Sequence, residues 1–124
     1  MMNAHCSYQI MSPTKLVTKK SILLTYQLLR SMVPFCDWRL PTKIQTKVVH
    51  DPTMFGCFDE PAIITISTAI VWDFKQLTST VAHEMIHVYQ AKLKLLNDQN
   101  HHDEFFYECA YDVCMNLGFD KESF

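Results

Sequence analysis

The sequence predicts an α+β domain: an N-terminal helix, a small two- to three-stranded sheet, a long helix and a C-terminal helix. Three observations carry this. "KIQTKVVH", residues 43–50, sets Ile44, Thr46 and Val48 against Lys43, Gln45 and Lys47, the period of a strand with one wet face. "AIITIST", after Pro61, is a β-branched run of the kind found in buried strands. Apolar residues then recur at helical spacing from about Phe74 to about Leu95, and a last helix follows from about His102 to Leu117. The 124 residues suit one domain, spanning 12–124 behind a loose tail at 1–11.

Each element has local signals. Ser12 reads as an N-cap with Pro13 in the first turn, where a missing N–H costs nothing. Leu16, Leu23, Leu24, Leu28, Met32 and Val33 supply the apolar spacing of that helix, which should end before Pro34. "DPT" turns the chain, and "MFGCF" reads as a short second strand. Asp73 caps the long helix, with Gln76 at the capping-box position. "NDQN" interrupts, and Gly118 stands where a left-handed residue closes the last helix.

Composition narrows the class. No apolar run approaches a membrane span, and the first residues lack the apolar stretch of a secretory signal. The expectation is a soluble intracellular protein. Five cysteines without a CxxC pair fit reduced thiols and argue against a cysteine-based zinc ribbon. Charge is split: residues 1–50 carry seven Lys/Arg and one acid, residues 51–124 four Lys/Arg and twelve acids. The basic half reads as solvated helix and strand faces, or as a surface for nucleic acid or an acidic partner.

"VAHEMIHVYQ", residues 81–90, carries the chemistry. His83 and His87 are four apart, one turn of a helix, so both imidazoles reach one ion. Glu84 is offset from His83 by about 100°. It can stand beside the ion without ligating it and take a proton from a metal-activated water. The helix is apolar around most of its circumference, and Thr80, His83, Glu84 and His87 form a narrow polar strip. Zn2+ is the expected ion, bound by histidine nitrogens.

A catalytic zinc usually takes a third protein ligand. The HExxHxxGxxH extension fails, because Gln90 and Leu93 occupy its glycine and histidine positions. Glu104, Glu108 and Asp112 share one face of the last helix and could supply a carboxylate. "NHHDEFF" offers His101, fourteen residues after His87, and its neighbour His102. A histidine from this turn is preferred to the glutamates, and spacing does not separate the two. Acids of the last helix are candidates to orient a ligand imidazole, and Tyr89, Tyr107 and Tyr111 to stabilise an oxyanion.

"GCFDEPAIITISTAIVWDFKQLTSTVAHEMIHVYQ" followed by "HHDEFF" resembles an SprT-like (Spartan-type) metallopeptidase domain across roughly residues 14–117. Gly56 resembles the glycine of that family's strand region, and His83, Glu84 and His87 match its HExxH. His101 matches the third zinc histidine, with Phe105 four positions on. The resemblance implies a zincin-like fold without the usual zinc ribbon. It also implies zinc-dependent endoproteolysis of a protein substrate, in some members of proteins on DNA. His102 departs from the pattern, standing where the family usually has glycine. The expected set is therefore Glu84 as catalytic base and His83, His87 and His101 as metal ligands. The rival expectation is a non-catalytic, zinc-stabilised binding or inhibitor protein that grips a partner with its basic half.

Overall fold

A computed structural model describes residues 16–124. Helix α1 is Lys19–Arg30, strands β1, β2 and β3 are Gln45–Val49, Gly56–Asp59 and Ile63–Ser67, and helices α2 and α3 are Phe74–Lys92 and Glu104–Leu117. A 3-10 turn at Phe35–Asp37 separates α1 from the sheet. The expected α+β order is observed.

The strands order as β1-β3-β2, with β3 in the centre, parallel to β1 and antiparallel to β2. That placement explains the composition of β3: Ile64, Thr65, Ile66 and Ser67 are all buried. The edge strand β1 keeps Gln45 and Lys47 exposed and turns Thr46 and Val48 inward, as its alternation predicts. Gly56 opens β2 opposite Ile66. A Cβ there would sit 2.6 Å from the Thr65 carbonyl oxygen and 3.2 Å from Thr80 Cγ2, so a side chain would push β2 away from both β3 and α2.

Helix α2 begins at the expected capping box, with Asp73 accepting from the Gln76 N–H and Gln76 reaching back. It packs against β2, β3, α1 and α3, which makes it the axis of the core. Leu77, Val81, Ala82, Met85 and Ile86 are all 1 % exposed or less, so the helix is buried around most of its circumference. It ends at Lys92, three residues early, where Lys94 turns left-handed and the Leu95 N–H bonds the Gln90 carbonyl. Gly118 closes α3 in the left-handed region, as expected.

Helix α1 corrects the sequence reading. Its described start is Lys19, capped by Thr18 with Ser21 in the box; the Ser12–Pro13 start lies outside the described residues. Leu24 and Leu28, expected to pack inward, are each 54 % exposed, and the buried face is Ile22, Thr25, Tyr26 and Leu29. Polar anchors select that face: the Tyr26 hydroxyl donates to the Pro41 carbonyl and Arg30 Nε to the Leu40 carbonyl. Among the described residues no helix is long and apolar enough to cross a membrane.

Candidate metal centre

Helix α2 presents His83 and His87 on one face, and the turn before α3 brings a third imidazole to them. The His83 and His102 Nε2 atoms are 3.1 Å apart, and those of His102 and His87 are 3.3 Å apart. Nitrogens bound at 2.0–2.1 Å to a tetrahedral ion lie about 3.3–3.4 Å from one another. Among the described residues this trio is the one group of three whose ligand atoms converge closely enough to hold a metal.

Hydrogen bonds on the far side of two rings fix their tautomers. His87 Nδ1 is 2.7 Å from Gln90 Oε1, and His83 Nδ1 is 3.3 Å from the Phe124 main-chain oxygen. An oxygen acceptor requires the N–H on Nδ1, which leaves the Nε2 lone pair of each ring aimed at the shared point. Gln90 is fully buried, and its amide is oriented by donating to the His101 carbonyl at 2.9 Å. Burial pushes His83 and His87 down to about 4, with neighbouring imidazoles adding to the effect, and burial lowers His102 as well. Near pH 7 the rings of His83 and His87 are therefore neutral, the form a metal requires.

The imidazole that converges with those of His83 and His87 is that of His102, where the sequence reading expected His101. Phe106, 2 % exposed, packs against it. It lies one turn after His102 and its ring centroid is 4.3 Å from that imidazole and 5.0 Å from those of His83 and His87. The Phe106 ring is thus stacked on His87 and His102 and tilted against His83. His101 and His102 are both exposed, but the His101 ring, 5.6 Å centroid to centroid from His87, lies outside the convergent group, and its main chain is held by Gln90. His-x-x-x-Phe is met by His102 and Phe106 as well as by His101 and Phe105.

Glu84 is 5 % exposed and lines the same cleft as His83 and His102. Burial pushes its carboxyl up to about 8, and the charge of Asp59 adds to that. The cleft has a volume of about 550 Å3 and runs from these residues to Phe55 and Lys75. A carboxyl adjacent in sequence to His83 and lining the cleft beside it is placed for proton transfer.

The remaining candidates separate clearly. Glu104, Glu108 and Asp112 are exposed and outside the cluster. Asp103 caps α3 through the Phe106 N–H and touches Gln90 Nε2 at 3.5 Å, so it supports the cluster without belonging to it. Tyr89 stacks on Trp38 at 4.3 Å, a packing role. Tyr107 and Tyr111 are exposed on α3. Sequence reasoning missed Gln90 and Phe106. The signal for Gln90 was its place three residues after His87 on a buried face. Phe124 carried no such signal.

Neither a protein-family model, nor a curated protein, nor a solved structure matches the chain. The site therefore stands on its own geometry.

Proposed function

We propose that the chain is a zinc-dependent endopeptidase of the HExxH type, with His83, His87 and His102 as ligands and Glu84 as general base. One observation carries this reading: the Nε2 atom of His102 lies 3.1 Å from that of His83 and 3.3 Å from that of His87, while a buried carboxyl from the helix that carries His83 and His87 lines the cleft beside them. The donor set fits zinc, since all three ligands are imidazoles and two have their tautomer fixed from behind. Zinc held there supplies Lewis acidity, polarising a carbonyl and making water acidic near neutral pH. Glu84 accepts the proton of the attacking water and returns it to the leaving amine. Gln90 and the Phe124 main-chain oxygen hold two imidazoles in place through that cycle.

The SprT-like resemblance belongs to the same proposal, with His102 and Phe106 in the role first given to His101 and Phe105. Its narrower part, action on nucleic-acid-associated proteins, draws support from the basic N-terminal half, whose Lys19, Lys20, Lys43 and Lys47 are all exposed. DNA binding that weakens steeply with salt is the expected result; no binding at low salt removes that part.

The test of the whole is metal content by mass spectrometry on untagged protein, beside hydrolysis of an unfolded protein substrate. Near-stoichiometric zinc that is lost in His83→Ala, and hydrolysis that is lost in Glu84→Gln with zinc retained, are expected. Zinc without hydrolysis leaves the zinc-stabilised binding protein as the better reading. A wild type that takes up no zinc removes both.

A further inference from the structure

The cleft extends well beyond the candidate ligands. Lys75, Ser79 and His83 line it at intervals of four, one line along the face of α2. Lys75 is two turns before His83, about 12 Å along the axis. An extended peptide spans that distance in about three to four residues, at roughly 3.3 Å each. Aromatic rings wall the space between. Phe55, just before the edge strand β2, is 55 % exposed, and Phe124 lines the same cleft from the C-terminal segment. Lys75 is the one Lys or Arg among the residues lining the cleft.

Resting on the peptidase reading, we infer that this cleft selects peptide segments by two features. One is an aromatic or large aliphatic side chain near the scissile bond, seated between Phe55 and Phe124. The other is an acidic residue three to four positions away, paired with Lys75. The volume of about 550 Å3 lies in the range of sites that enclose an organic group. A large ring left half-exposed beside an open apolar space gains by being covered. A lone cation at the far end selects its opposite charge and disfavours its own. Phe55 and Lys75 thus determine specificity and take no part in the proton transfers.

Two readouts on one peptide pool test this. Zinc-loaded Glu84→Gln protein is incubated with peptides from a proteolysed cell extract, and retained peptides are sequenced by mass spectrometry. Wild-type protein is given the same pool and the new termini are mapped. Retained and cleaved peptides should be enriched in the aromatic-plus-acidic pattern. Phe55→Ala should reduce the aromatic enrichment about tenfold. Lys75→Glu should exchange the acidic preference for a basic one, a shift of about fivefold or more. Both positions are exposed, and unchanged zinc content verifies that the fold is kept. Absent enrichment, or enrichment that neither variant moves, overturns the inference. Selective retention with no cleavage by wild type overturns the peptidase reading and leaves the cleft's selectivity standing. Cleavage without the pattern does the reverse.

Discussion

The three histidines come from two kinds of backbone. His83 and His87 sit on a regular helix, where the repeat alone aims both rings the same way. His102 sits in the turn between Lys92 and Glu104, where no repeat operates. Its direction is fixed by three neighbours: the Gln90 amide on the His101 carbonyl, the Asp103 cap and the Phe106 ring. Two of the three imidazoles are thus placed by periodicity and the third by packing, so the turn should be the more sensitive to loss of its surroundings.

The largest effect is expected on the helix. Glu84→Gln should lower hydrolysis by about 10²–10⁴-fold, the range a general base contributes, while zinc stoichiometry stays as in wild type. Hydrolysis near the wild-type rate would remove Glu84 from the mechanism. Next comes the turn. His102→Ala should lower zinc affinity by more than about a hundredfold, as a lost ligand exceeds a lost outer partner. His101→Ala should stay within about twofold, as for an exposed residue. Competition with a zinc chelator measures both, and the reverse ranking would return the third ligand to His101. Gln90→Ala follows. It strips His87 of its acceptor and the turn of its anchor, so affinity should fall about 10–100-fold, with stability lower by about 1–3 kcal/mol. An unchanged affinity would mean that Gln90 only fills space.

The same division explains what was legible in the sequence. Helix α2 was readable in detail because its signals agree: the Asp73 and Gln76 box, the apolar faces and the HExxH spacing all describe one helix in one orientation. Strands β1 and β3 were readable because alternation and β-branching match their edge and central places. Helix α1 was not, since apolar residues occur on several of its faces and the hydroxyl of Tyr26 and the guanidinium of Arg30 choose among them. These contacts reach residues 40 and 41, which no local pattern reveals. In "HHDEFF" the doubled His and doubled Phe give the same spacing twice, so sequence offers two registers of equal merit. In the fold it is His102 that meets the other two imidazoles, with Phe106 buried against it, and that burial depends on how α3 lies against α2.

The smallest effect gives the sharpest comparison. Asp73 and Asp103 are both N-caps whose carboxylates accept a main-chain N–H, at 2.7 Å from Gln76 and 3.0 Å from Phe106. Replacing either by Ala should cost about 1 kcal/mol in urea denaturation, the usual worth of a cap. Their effects on zinc should differ. His83 lies nearly three turns inside α2, and fraying of the first turn does not reach it. His102 is the residue immediately before its cap, and Asp103 also touches Gln90. Asp103→Ala should therefore weaken zinc binding severalfold, and Asp73→Ala should leave it within about twofold at the same loss of stability. Equal effects on zinc would mean that global stability sets the affinity. Unequal effects, with the loss confined to Asp103, would mean that the position of the turn sets it, and that the third ligand is the adjustable part of the centre.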